Sequence, residues 1–203
     1  RDRLRSRGLG DVYKRQSIPY EERHSESARR RAYEEADFVF MCLPDAAAKE
    51  AAPMAEACHT RVIDASTAHR TAEGWVYGFP EISGTETIEA APLVANPGCH
   101  ASGVNALIYP LIRNGILSPA QKLQCFSITG YSGGGKKMIG EYESNCRDAL
   151  MDAPRMYGLS QQHKHLPEIT ALNGLECAPI FCPIVSDFYC GMETIIPLFL
   201  SLI

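Results

Sequence analysis

Apolar runs of strand length alternate with charged or alanine-rich stretches from about residue 28 onward. Ala28–Ala36 has the charged composition of an exposed helix. FVFMCL at Phe38–Leu43 is a continuous apolar run, stopped by Pro44-Asp45. Ala46–Cys58 is rich in Ala and Glu and predicts a helix, with Pro53 expected to kink or break it. Arg61–Ala65 (RVIDA) predicts a second apolar strand, and Leu93–Ala95 a third. Unbroken apolar strands separated by helices indicate buried parallel pairing in an α/β fold.

The pattern changes after Asn96-Pro97-Gly98. Cys99–Asn114 carries Val104, Leu107, Ile108, Leu111 and Ile112 at three- and four-residue steps, predicting a helix with Gly115 at its C-terminal cap. Gln121–Thr129 predicts a strand, Gly130–Gly135 a glycine loop and Lys136–Leu150 a helix. From Ala178 the segments rich in Val, Ile, Phe and Tyr predict further strands, split by Pro183, Gly191 and Pro197. Two α/β units meeting near residue 96 account for this order.

Composition narrows the class. The 203 residues are 45% hydrophobic and 22% charged, as in an ordinary globular chain. No apolar run reaches the ~18 residues of a membrane span, so no membrane partner is expected. The net charge of -4 argues against a nucleic-acid partner. Residues 1–16 (RDRLRSRGLGDVYKRQ) alone carry +4 and show neither a helical nor a strand period. They lack the apolar segment of a secretory signal and read best as sequence foreign to the protein, such as a read-through; a basic arm is the alternative. A dinucleotide-binding unit ordinarily opens with a strand and a glycine-rich turn. None precedes Ser17, and the chain stops inside the apolar IIPLFLSLI, so truncation at both ends is expected. Eight cysteines without a C-x-x-C pair favour a reducing cytoplasm over a disulfide framework, with Cys42 and Cys125 as core residues.

Chemistry concentrates in a few places. Asn96-Pro97-Gly98-Cys99-His100 delivers Cys99 to a helix start, where unpaired N–H groups favour an anion and a nucleophilic thiolate. A small residue that merely starts a helix is equally compatible. His163-Lys164-His165-Leu166-Pro167-Glu168 offers an acid/base histidine, with Glu168 three residues beyond His165 to orient it. Surface histidines, or an H-x-H metal site, are the competing readings, the metal one weak by spacing. Gly130–Lys136 matches G-x-x-x-x-G-K, but Lys137 stands where a P-loop needs Ser or Thr for Mg²⁺. Ser66, Thr67 and Arg70 follow one strand and Leu43-Pro44-Asp45 another, both facing the ligand crevice of an open α/β sheet. Ser66 and Thr67 suit a cofactor or a cap, and Arg70 an anion.

Seven stretches in order carry a resemblance: CLPD at Cys42–Asp45, RVIDASTAHR at Arg61–Arg70, GWVYGFPE at Gly74–Glu81, ANPGC at Ala95–Cys99, GYSGGGK at Gly130–Lys136, YGLSQQHKHLPE at Tyr157–Glu168 and DFYCGM at Asp187–Met192. Together they resemble the N-acetyl-gamma-glutamyl-phosphate reductase family, NADPH-dependent acyl-phosphate reductases of arginine biosynthesis, most of all its shorter form. The resemblance implies a partial Rossmann-like dinucleotide-binding unit over 17–96 and a mixed α+β, semialdehyde-dehydrogenase-like catalytic and dimerisation unit over 97–203. It implies Cys99 as nucleophile, His165 rather than His163 as acid/base, and Glu168 as its partner. It implies NADP(H) as cofactor, with Leu43, Pro44 and Ser66 lining the crevice and Ser132, Gly133 and Gly134 beside the nicotinamide. Arg70, Asn96 and Gly98 are then expected at an acyl-phosphate substrate, with no metal, in a cytoplasmic homo-oligomer. His100 stands where Tyr is more usual. Aspartyl phosphate, reduced through the same cysteine chemistry by an aspartate-semialdehyde dehydrogenase-like enzyme, is the alternative substrate, and a non-catalytic fragment lacking a complete cofactor site is the other alternative.

Overall fold

The computed structural model describes residues 17–199. The basic stretch 1–16, expected to be foreign, and the last four residues lie outside the described residues. After a short 3-10 turn, helix α1 (Glu26–Glu35) begins where Ser25 Oγ accepts from Ala28 N. Strand β1 (Phe38–Met41), helix α2 (Asp45–Ala57) and strand β2 (Arg61–Asp64) follow. Next come β3 (Val76–Tyr77), α3 (Pro80–Ser83), α4 (Thr85–Ala90) and β4 (Leu93–Ala95). The four strands form one parallel sheet in the order β1-β2-β4-β3.

One face of this sheet is built from small side chains. Ala48, Ala51 and Ala55 of α2 are fully buried against Met41, Val62 and Leu93, with Tyr33 of α1 beside them. Pro53 sits inside α2 without ending it. It faces solvent, so the Lys49 carbonyl that loses its N–H partner also faces water. The opposite face differs from the buried strand expected at Phe38–Leu43: Phe38 is 50% and Phe40 70% exposed. Alternation sends Val39 and Met41 toward the helices and the two phenylalanines away from them.

The second unit starts with α5 (Cys99–Arg113), then β5 (Gln124–Gly130), α6 (Gly135–Tyr142), β6 (Arg155–Met156), α7 (Leu166–Asn173), β7 (Ile180–Ser186) and β8 (Met192–Ile195). Its sheet runs β6-β7-β5-β8, with β5 and β7 parallel and the outer strands antiparallel. Gly115 takes φ +69 just past α5, as a C-terminal glycine should. Ala101, Val104 and Ile108 pack on Ile169 and Leu166 of α7 and on Cys125 and Phe181 of the sheet. Leu107, expected on this face, is 45% exposed.

Cys125 is buried as expected, but Cys42, expected in the core, is exposed just past the end of β1. Two further sequence expectations fail for identifiable reasons. The helix expected over Lys136–Leu150 stops at Tyr142. Ser144 Oγ then accepts from Cys146 N and Asp148 from Leu150 N, local bonds that compete with the helical ladder. Pro183 does not split a strand but lies inside β7. Its carbonyl accepts from Tyr157 N on the β6 side, so the missing N–H also faces that side, where β6 has only two residues.

Ile108→Ala, at a fully buried site, should lower unfolding stability by about 2–5 kcal/mol. Leu107→Ala, one residue earlier, should cost under ~1 kcal/mol. Urea denaturation of the two variants compares them, and equal losses would mean that α5 is docked in another rotation.

Candidate active site

The turn from β4 into α5 is fixed by a buried carboxylate. Glu168, 1% exposed on α7, accepts from Arg70 Nη1 (2.8 Å), Tyr77 Oη (2.9 Å) and Gly98 N (3.1 Å). Arg70 Nε also donates to the Asn96 carbonyl at 3.0 Å. Asn105 Nδ2 donates to Tyr77 Oη, and Asn173 Nδ2 to Asn105 Oδ1, extending the network along α5 and α7. Burial pushes the Glu168 carboxyl above its ordinary value, and Arg70, Gly98 and Tyr77 pull it back toward the charged form. Gly98 has no room for a Cβ, which would collide with Glu168 Oε1, Arg70 Nη1 and His165 Cδ2.

This turn leaves Cys99 exposed as the first residue of the 15-residue α5. Cys99 Sγ and one ring nitrogen each of His100 and His165 lie within 4.8 Å of one another. His165 is buried just before α7, and His163 stacks edge-on against it at 4.8 Å between centroids. Burial lowers the His165 pKa to about 3, helped by His163, His100, Arg70 and Lys164 nearby. It lowers His100 to about 4 and moves His163 in the same direction. All three rings are therefore neutral at pH 7.

The expected residues divide into two groups. Cys99, His165, Gly98, Arg70 and Glu168 meet in one place. Glu168 Oε1 stands 4.0 Å from His165 Nε2, beyond hydrogen-bond length, so the carboxylate holds the Cys99 turn rather than the imidazole. Arg70 is only 9% exposed and is engaged by Glu168 and Asn96, not open to solvent. The exposed Asn96 amide makes only a local bond to the Pro97 carbonyl. Ser132, Gly133 and Gly134 form a 3-10 turn after β5, tied to Phe188 and Tyr189 by backbone bonds from Tyr131 and Ser132. Among the described residues no hydrogen bond joins that turn to the Cys99 group.

At the carboxyl ends of β1 and β2, Leu43 and Pro44 are exposed, and Asp45 accepts from Thr67 N at 2.9 Å. That bond and one from the Thr67 hydroxyl hold the Asp45 carboxyl below its usual range. Ser66 is buried instead, its Oγ donating to Asp64 Oδ2 at 2.7 Å, beside His69, which shares Asp64 and stacks on Trp75. Ser66 therefore shapes the loop rather than offering a free hydroxyl.

Three residues escaped the sequence. His100 is 3% exposed and bonded to Ser127 Oγ (2.6 Å) and Tyr157 Oη (2.8 Å). The Tyr157 hydroxyl is pushed up to about 12 by burial and by the nearby Cys99 thiol. The available signal was helical spacing: position 100 precedes the buried Val104 and Ile108 at four-residue steps.

The family model for the semialdehyde dehydrogenase dimerisation domain matches residues 99–202, just over half of the chain. This chain belongs to the semialdehyde dehydrogenase family. The family's NAD-binding domain model matches residues 5–91. An N-acetyl-gamma-glutamyl-phosphate reductase from Chelativorans sp. (strain BNC1) is 46% identical over 184 residues, 90% of this chain and 59% of that protein. One from Rhizobium etli (strain CIAT 652) is 44% identical over 203 residues, 98% of this chain and 65% of that protein. The chain thus spans about three fifths of the length of these curated relatives, and the resemblance drawn from the motifs agrees with them. Aspartate semialdehyde dehydrogenase II from Vibrio cholerae shares the fold with TM-score 0.59 at 13% identity, over 80% of this chain and 55% of that one. A probable aspartate-semialdehyde dehydrogenase from Pseudomonas aeruginosa matches with TM-score 0.58 at 18% identity and the same coverage. The mixed two-sheet α/β fold is that of this semialdehyde dehydrogenase family.

Gly98→Ala should cost about 1–3 kcal/mol in denaturant unfolding and slow Cys99 alkylation, because the added methyl must part Arg70 from Glu168. A silent substitution would show that the turn is looser than its contacts. The histidine pair sets a pH dependence as well. Between its unfolded value near 6.5 and a folded value of about 3 to 4, each ring binds more protons unfolded than folded. Stability should therefore fall as pH drops from 6.5 toward 4, by on the order of 1 kcal/mol per pH unit. Glu168, raised in the folded state, acts in the opposite sense, its contribution being lost as pH rises. Urea midpoints read from pH 7 to pH 4 test the sign, and a flat profile would contradict it.

Proposed function

We propose that this family member reduces N-acetyl-gamma-glutamyl phosphate to N-acetylglutamate semialdehyde with NADPH, in arginine biosynthesis, through a thioester on Cys99. The observation that carries the proposal is Cys99 exposed at the start of α5 with a neutral His165 ring nitrogen inside 4.8 Å. The reductases at 46% and 44% identity favour the glutamyl substrate. In this scheme the division near residue 96 separates a cofactor-binding unit over 17–96 from a catalytic and dimerisation unit over 97–203.

His165 offers a bare nitrogen to the Sγ proton as the thiol attacks the acyl carbon. The negative phosphoryl group beside the ring favours the imidazolium for that moment. The first N–H groups of α5, without intrahelical partners, hold the developing oxyanion. As the acyl–phosphate bond breaks, His165 returns the proton to the departing phosphate, leaving the thioester. When bound, the reduced nicotinamide supplies the hydride that reduces the thioester carbonyl. The alkoxide so formed collapses with cleavage of the C–S bond, releasing the aldehyde and a Cys99 thiolate, to which His165 relays a proton from solvent to restore the thiol. Arg70 and Glu168 act by holding the Asn96–Gly98 turn in place, while Asn96 has an exposed amide for the substrate.

The cofactor's place is the carboxyl edge of β1 and β2. The exposed Leu43-Pro44 shelf fits a flat apolar ring system, and the Asp45–Thr67 clasp fixes the loop beside it. In the same reading Ser132, Gly133 and Gly134 are the nicotinamide's neighbours. Assembly as a homo-oligomer in the cytoplasm belongs to the same proposal, favoured by the match to a dimerisation domain. Among the described residues no helix is long and apolar enough to cross a membrane.

The test is phosphate-dependent oxidation of N-acetylglutamate semialdehyde with NADP, run on this chain and on one extended to the relatives' length. Cys99→Ser should reduce turnover at least about 1000-fold with its unfolding curve unchanged. Turnover of aspartate semialdehyde instead would reassign the substrate, and retained activity in Cys99→Ser would remove the thioester.

A further inference from the structure

The three groups that converge at the start of α5 are also a set of zinc ligands. Cys99 Sγ and ring nitrogens of the adjacent His100 and of His165 lie within 4.8 Å of one another. In a tetrahedral zinc site with Zn–S of ~2.3 Å and Zn–N of ~2.0 Å, the ligand atoms stand ~3.3–3.6 Å apart. A contraction of at most ~1.2–1.5 Å closes the triangle, by rotation of the exposed Cys99 side chain and of the two imidazole rings. We propose that Cys99, His100 and His165 bind a borderline-soft divalent cation, zinc above all, which locks the sulfur reversibly and leaves one coordination position open to solvent.

Three further observations favour it. Neither ring nitrogen of His165 is hydrogen-bonded among the described residues: Nδ1 is buried without a partner, and Nε2 has only Glu168 at 4.0 Å. Turning this ring to a cation therefore breaks no hydrogen bond. His100 has an outer partner already in place, since Ser127 Oγ stands 2.6 Å from Nδ1 and fixes the ring while Nε2 exchanges Tyr157 for the metal. Both imidazoles are neutral at pH 7, the state that ligates. The remaining charge balances simply: Sγ loses its proton to solvent as the Zn–S bond forms. Three protein ligands with a fourth position open give a site that chelators can strip.

The binding itself does not depend on turnover; only its consequence, a blocked nucleophile, rests on the function proposed above. The experiment follows Zn²⁺ and Co²⁺ binding to the chain, with Cys99 alkylation mapped by mass spectrometry. One cation per chain should bind at this site, Co²⁺ should give a thiolate charge-transfer band, and Zn²⁺ should protect the Cys99 peptide from iodoacetamide until EDTA is added. Ser127→Ala should weaken zinc protection by ~10–100-fold. His100→Gln should weaken it at least as much, and Cys99→Ser should abolish the cobalt–thiolate band. Zinc bound with Cys99 still alkylated at its free rate would overturn the site, as would undiminished protection in His100→Gln. Because cobalt spectrum and protection are read without substrate, failed turnover with an intact metal site would count against the proposed reaction alone.

Discussion

A carboxylate removed from water must be met by donors on every side, and Glu168 is where this chain satisfies that demand. Its three partners come from different places: Arg70 after β2, Tyr77 on β3 and the backbone of Gly98 after β4. None of them can shift without leaving a buried charge short of a bond. The position of Cys99 is thereby inherited from backbone geometry. The residue before it has no side chain and is bonded through its amide, so α5 must start at that point. The price of Gly98's fit is that no other residue can replace it without displacing the ion pair.

The same burial explains the character of the histidine cluster. Three rings, His100, His163 and His165, have centroids 4.8 to 5.7 Å from one another, with Phe181 against His100 and His163. Charged imidazoles at that spacing would repel, and desolvation adds to the penalty. Neutrality is the cheaper solution, and it leaves nitrogen lone pairs available beside the sulfur. A site poised to accept a proton and one able to accept a soft cation are built from the same feature.

Much of this was legible in the sequence where local pattern and chemistry agreed. The helix at Cys99–Asn114 and the strands at Arg61 and Leu93 were each readable from periodicity or apolar length, and each is present within a few residues. The group of Cys99, His165, Glu168 and Arg70 was named from motifs, but the partners were not. Glu168 was expected to orient His165 because three residues on a helix make neighbours. It turned instead to donors from Arg70, Tyr77 and Gly98, up to 98 residues away in sequence, which no spacing rule contains. Two-residue strands such as β3 and β6 escaped because sheet pairing, not composition, makes them. Phe40 misled in the other direction, since an apolar run does not say how many of its faces are covered.

Tyr77 shows what such a network does to the molecule as a mechanical object. Its hydroxyl donates to Glu168 and accepts from Asn105, which in turn accepts from Asn173. A strand of the first sheet is thus threaded into the two helices that pack on the second. Sliding one layer past the other would break several buried hydrogen bonds together, since they share atoms. Layers coupled in this way come apart as one cooperative unit rather than as two independently melting halves. The seam between the sheets is then among the stiffest parts of the chain, and Cys99 stands on it.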